Sequence, residues 1–322
     1  SLRNGVATDT YTQDSITGLA RVFTGWDFDG FARGDPAWTQ RPMVLNATRH
    51  AEGAKTFLGT TIPAGTDGRA ALPQALDTIA AHPNVGPFIG RLLIQRLVAS
   101  HPSPAYVARV TAAFNNNGAG VRGDLKAVIK AVLLDTEARS APVPGQTTRG
   151  KLREPIQRFV QWARCFGLSS PTGLWNIGNL SDPAARLGQS PLRSPSVFNF
   201  YRPGYVPPNS ALGSAGITAP EFQITNETTV VAWANYAQTF VANPPGEAIA
   251  DYSAEMALAA DAAALVRRIT LLLAADALSA DTVSRITSAV GSIVASTDTG
   301  KRNRVQAAIH LVLCAPEYLV QI

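Results

Sequence analysis

No run of eighteen uninterrupted apolar residues occurs in this 322-residue chain, which leaves no segment able to span a bilayer as a helix. The nearest, Ala257 to Ala275, is broken by Asp261, Arg267 and Arg268. Cysteine is scarce. Cys165 and Cys314 are too few for a disulfide framework or a thiolate metal site, and both fall in amphipathic segments where small buried thiols are expected, a single bridge between them staying open. Charged residues reach only 16%. The net charge of +5 is scattered and mostly arginine, and no basic run is long enough to track a phosphate backbone, so nucleic acid is not an expected partner. Signatures of chemistry are missing too: no G-x-S-x-G elbow, H-E-x-x-H, phosphate-binding loop, C-x-x-C pair or EF-hand loop. The residues by themselves name no reaction and no cofactor.

What is present is helix. Periodic apolar faces predict helices over 10–24, 70–81, 84–100, 104–115, 123–138, 154–166, 220–241, 254–276, 280–295 and 300–319. Pro73, Pro87 and Pro155 stand in first turns, where a missing N–H costs nothing, and Ser103 caps Pro104. Trp26 and Phe28 alternate with polar residues, and Arg41 to Asn46 is the other strand candidate, so the two predict a small β-hairpin. Residues 141–151 read as a linker. The expected organisation is an N-terminal helix, hairpin and loops over 1–68, a first helical unit over 69–140, a linker, helix and irregular loop over 141–217, and a long helix with a second helical unit over 218–322.

Two of these helical runs echo each other. A shift of roughly 176 residues aligns Arg91 with Arg267, Ser103 with Ser279 and Arg109 with Arg285. A short insertion then aligns Val132 with Val312 and Glu137 with Glu317. A duplicated three-helix unit is one reading, and the chance likeness of alanine-rich helices is the other.

Between the runs lies GQSPLRSPSVFNFYRPGY (188–205), too rich in Pro, Gly and Ser for a helix yet carrying Leu192, Val197, Phe198, Phe200, Tyr201 and Tyr205. Such a loop is expected to pack into the body of the protein, with its polar members in hydrogen bonds. Arg193, Asn199 and Tyr201, with Trp175 or Phe198 as a stacking face, could recognise a carboxylate, a sulfate or a sugar hydroxyl; a loop anchored by its own hydrogen bonds would use the same residues.

His50, Glu52 and Lys55 form the other candidate cluster. A histidine and a carboxylate two apart after a strand could share a proton or, with a third ligand from elsewhere, a metal, although no metal site is assigned; a solvated polar turn fits the same residues. His82 is expected to close a helix junction, His101 to offset a helix dipole, and His310 to be a satisfied core residue. Arg91 or Arg96 could reach Glu154 or Asp77.

Long segments of the chain resemble one family. TYTQDSITGLARVFTGW (10–26), RHAEGAKTFLG (49–59), HPNVGPFIGRLLIQRLV (82–98), GDLKAVIKAVLLDTEAR (123–139), GQSPLRSPSVFNFYRP (188–203), APEFQI (219–224) and APEYLVQ (315–321) are similar to the bacterial family known as domain of unknown function 1800. The resemblance implies an exported protein, periplasmic or secreted, often encoded beside a sulfatase-like partner, with no established activity. It also implies an upstream half bearing W-x-N-H and N-E-N-Y-x-R-E motifs that are not in this sequence, so that half is expected as a separate chain or unseen segment and as a partner.

The expected fold is all-α: two related three-helix bundles, a packed irregular connection and at most a small hairpin near the N-terminus. The expected function is a binding or assembly subunit of a cell-surface or secreted complex. The alternative is a hydrolase-like enzyme acting on polysaccharide or a sulfated substrate, its site shared with the upstream half.

Overall fold

The structure is a computed structural model that describes residues 2–3, 6–7, 9–33, 36–140 and 149–321. The helices are α1 (Gln13–Val22), α2 (Gly68–Ala81), α3 (Val85–Leu97), α4 (Pro104–Asn115), α5 (Leu125–Leu134), α6 (Thr136–Arg139), α7 (Pro155–Cys165), α8 (Ala211–Ser214), α9 (Glu227–Ala242), α10 (Ser253–Leu258), α11 (Ala262–Ala274), α12 (Ala280–Gly291), α13 (Asp298–Leu313) and α14 (Pro316–Leu319). The strands are β1 (Leu2–Arg3), β2 (Val6–Ala7), β3 (Trp26–Asp27), β4 (Val44–Leu45), β5 (Lys55–Phe57), β6 (Thr60–Ile62), β7 (Lys151–Leu152) and β8 (Val320–Gln321). They form four antiparallel pairs: β1 with β2, β3 with β4, β5 with β6, and β7 with β8. The fold is all-α with minor sheets, and no helix among the described residues is long and apolar enough to cross a membrane.

The expected hairpin is β3–β4, with Trp26 opposite Leu45. Phe28 lies beyond its end and packs on Trp38 at 4.5 Å between ring centres. Several predicted helices are shorter or broken, each where a local cap outweighs the apolar period. Asp135 starts α6 by accepting from Glu137 N, and Asp261 starts α11 by accepting from the amides of Ala263 and Ala264. Pro316 begins α14. The helix predicted over 220–241 opens instead as a 3-10 turn over Pro220–Ile224, and α9 starts only after Asn226, which forms a capping box with Thr229. Of the linker predicted over 141–151, residues 141–148 lie outside the described residues, whereas Lys151 is a buried strand residue.

The chain divides into two compact units, residues 1–89 with 110–128, and residues 90–109 with 129–322. In the first, α1 lies across β5 so closely that a Cβ on Gly18 would stand 2.0 Å from the Thr56 carbonyl oxygen. Val22, Phe57, Ile62, Ala71 and Ala75 form its small core. In the second, α11 packs against α7, α12 and α13, and α13 against α9. Trp162, Phe159, Tyr236 and Phe240 meet there edge to face and tilted, at 4.6–5.5 Å. Arg304 is buried in this core without a carboxylate. Its guanidinium donates to the carbonyls of Ala259, Ala260 and Ile293, which satisfies carbonyls just past the C-terminal ends of α10 and α12.

Candidate functional site

The second unit contains a charged interior. Pairing of β7 with β8 places Lys151 there, 2% exposed, with its Nζ 3.3 Å from Glu221 and 3.5 Å from Glu154. Ser100 Oγ donates to the other Glu221 oxygen at 2.8 Å, and Arg96 reaches Glu154 at 3.2 Å, one of the two partners expected for it. Lys151, Glu154 and Glu221 are buried and Arg96 is half-buried, so two positive and two negative side chains neutralise one another, which buried charges require. Burial alone would raise the Glu154 carboxyl, but Tyr201, Lys151, Gln189 and Arg96 outweigh it and hold the group below its ordinary value. Tyr201 is pushed upward, first by burial and then by the Glu154 charge, so it stays a neutral phenol that donates to Glu154 and accepts from Arg96.

This network is the root of the connection over 188–205. Gln189 donates to Glu154 at 2.8 Å and accepts from Ile156 N at 3.2 Å. On the far side Tyr201 is buried, and the Pro203 carbonyl accepts from Gln95 at 2.9 Å. Between these anchors the expectation of a packed loop fails: residues 191–199 are exposed, with Leu192 at 106% and Val197 at 97%. The reason is local. Asn199 N donates to Ser196 O at 3.0 Å and Phe198 N to Ser196 Oγ at 3.1 Å, closing a tight turn with Asn199 at φ 68°. Leu192 also has a positive φ, of 61°. The turn meets its own hydrogen bonds while its apolar side chains point outward.

The predicted ligand set is therefore divided. Tyr201 is an interior hydrogen-bonding residue, Asn199 serves the backbone turn, and Arg193 is exposed. Trp175 belongs to another loop, where its amide donates to Ser170 Oγ and Ser170 in turn donates to Glu247 at 2.6 Å. Among the described residues no hydrogen bond or ring contact joins it to Arg193 or Phe198.

The cluster in the first unit does not converge either. His50 Nδ1 donates to the Thr24 carbonyl at 2.9 Å, which leaves Nε2 as an acceptor, buried and without a partner among the described residues. Glu52 is exposed. Lys55 is fully buried, with a hydrogen bond of 3.4 Å to the Gly53 carbonyl. No hydrogen bond or ion pair links the three, and the described residues contain no group of three or more His, Cys, Asp and Glu that could hold a metal ion.

Of the other histidines, His82 accepts from Asn84 N and His310 donates to the Ala234 carbonyl. His101 departs from the dipole role: its Nδ1 accepts from Thr218 N at 3.0 Å and ties the 217–219 segment down. Both cysteines are free thiols, and burial pushes the Cys314 thiol up to about 11. The charged interior around Lys151 escaped sequence reasoning because its members lie up to 125 positions apart, from Arg96 to Glu221. The one legible signal was the Arg96–Glu154 pairing.

A family model described as protein of unknown function (DUF1800) matches residues 3–320 of the chain. No curated protein and no solved structure matches it.

Proposed function

The chain belongs to the DUF1800 family of proteins of unknown function, and from that premise we propose that it is an exported binding or assembly subunit that docks a second protein through the turn at 191–199. The observation that carries this reading is the exposure of Leu192, Val197 and Phe198 on a turn held from below by Gln189 and Tyr201. Large apolar groups displayed on a preorganised turn lose little conformational freedom when they bind. The loop over 188–205 carries Arg193 and Arg202, both exposed, and no acidic residue. The partner that fits is a polypeptide with an apolar cleft rimmed by carboxylates. The sulfatase-like protein expected beside this family is the occupant to test. The hydrolase reading, with a site shared with an upstream half, draws on His50, Glu52 and Lys55, which make no hydrogen bond or ion pair to one another among the described residues.

The test is co-expression with that neighbouring protein, followed by sedimentation of the purified mixture. A complex is expected with the wild type. Leu192→Ser combined with Val197→Ser should abolish it, and Arg193→Glu should weaken it roughly tenfold, with the loss growing at low salt. Co-sedimentation that is indifferent to all three substitutions, or no complex at all, would refute the docking role.

A further inference from the structure

Arg186, in the second unit, is a half-buried cation without a carboxylate among the described residues. Its guanidinium lies over the Tyr236 ring, 5.4 Å from the centroid, and donates to Tyr236 Oη at 3.4 Å. The carboxylates of the flanking loops are spent elsewhere. Asp182 accepts from the amides of Ala184 and Ala185 at 2.8 and 3.2 Å, and Glu247 accepts from Ser170 Oγ at 2.6 Å and from Thr172. Tyr236 is only 6% exposed. Burial pushes its phenol above the ordinary value, so it keeps its proton, and that O–H meets no acceptor among the described residues.

Arg186 and Tyr236 line one groove of about 670 Å³. Its floor is α9, where Tyr236 and, two turns on at the C-cap, Asn243 share a face. One rim is the turn of Pro244 and Pro245, the other the loop of Asn176. The two rims are locked together. Gly246, at φ 66°, sits so close to the Asn176 carbonyl that a Cβ on it would stand 1.9 Å from the oxygen, and the Ser170 and Thr172 bonds to Glu247 join the same two segments. The side chains of Asn176 and Asn243 are exposed and make no hydrogen bond among the described residues. The groove therefore presents fixed donors lacking an acceptor, beside two amides that can each donate and accept.

We propose that this groove binds a hexuronate, a singly charged acidic sugar, free or at the end of an oligosaccharide, with its carboxylate on Arg186 and Tyr236 and its hydroxyls on Asn176 and Asn243. A single guanidinium balances one negative charge, and its planar fork takes a carboxylate bidentately. Hydroxyls both give and accept, as the two amides do, so a sugar body satisfies the rim where an aliphatic or aromatic acid would leave it unpaired. The rings of Pro244 and Pro245 offer the C–H face of the sugar a van der Waals contact. Arg186 is already held on Tyr236 before a ligand arrives, which lowers the cost of binding. This inference is independent of the docking role of the 191–199 turn.

The test is calorimetric titration of the intact chain with D-glucuronate and D-galacturonate. The controls are D-glucose, which lacks the charge, acetate, which lacks the sugar, and alanyl-alanine, a peptide carboxylate. At least one uronate should bind, and each control should bind roughly tenfold more weakly or worse. Arg186→Gln should weaken uronate binding about tenfold. Because Arg186 also supports Tyr236, Asn243→Asp is the second variant. It keeps the size of an exposed side chain, sets a negative charge in the groove, and should weaken uronate binding by a similar factor, more so at low salt. The proposal is overturned if neither uronate binds at millimolar concentration. It is equally overturned if glucose, acetate or the dipeptide matches the uronate, or if Asn243→Asp binds like the wild type.

Discussion

Two lysines separate burial from pairing. Lys151 and Lys55 are both out of water, yet Lys151 faces Glu221 and Glu154 while Lys55 has a single carbonyl at 3.4 Å. Lys151→Met would leave the buried Glu221 without a cation while Glu154 keeps Arg96, and should cost roughly 3–5 kcal/mol in urea unfolding. Lys55→Met removes an almost unpartnered ammonium and fills the same space. It should leave stability unchanged or raise it by about 1 kcal/mol, and a clear loss would mean that Lys55 has a partner in solution. Glu317 sets a pH dependence. Hydrogen bonds from Thr282 foremost, then from its own backbone and Ser279, bring its carboxyl from the ordinary 4.5 down to about 2 in the folded chain. The stabilisation it gives is therefore complete above 4.5 and disappears as the pH drops through about 2. Wild type should unfold at higher urea than Glu317→Gln near neutrality, and the two midpoints should converge as the pH approaches that lower limit. Little at this scale was legible in advance: His50, Glu52 and Lys55 are close in sequence, but β5 turns the lysine inward while Glu52 stays in water.

At the scale of elements, caps and close approaches decide where the chain is ordered. Asn226 accepts from Thr229 N at 3.0 Å, and Thr229 Oγ1 accepts in return from Asn226 N at 2.9 Å. Asn226→Ala should cost about 1 kcal/mol, measured by thermal unfolding. Gly18 is helical, so alanine would suit the backbone of α1, but its Cβ would collide with the Thr56 carbonyl. Gly18→Ala should thus destabilise by roughly 1–3 kcal/mol rather than help, read as a lower urea midpoint. The helices themselves were legible because their apolar faces repeat. The breaks before Thr136, Ala262 and Pro316 were less so, although Asp135, Asp261 and Pro316 were in view, because the apolar period runs straight through them.

For the whole molecule, the exposed turn over 191–199 separates folding from association. Leu192 and Val197 touch nothing that folding buries, so Leu192→Ser combined with Val197→Ser should change stability by no more than about 0.5 kcal/mol while the complex is lost. A large fall in stability would mean that the turn is packed after all. Each compact unit has its own core, five residues around Phe57 in the first and the aromatic group around Trp162 and Phe240 in the second.

Composition and period determined by themselves that this chain is helical and that it carries a hairpin between Trp26 and Leu45, while the likeness of its long motifs to one family placed it there. Those properties depend on residues near one another or on the mere balance of apolar and polar side chains. Tertiary structure alone decided that Lys151 lies between two carboxylates, that Leu192 and Val197 face water, and that Arg186 rests on Tyr236 rather than on a carboxylate. Each of these is set by which distant segments meet, and neither periodicity nor propensity encodes it.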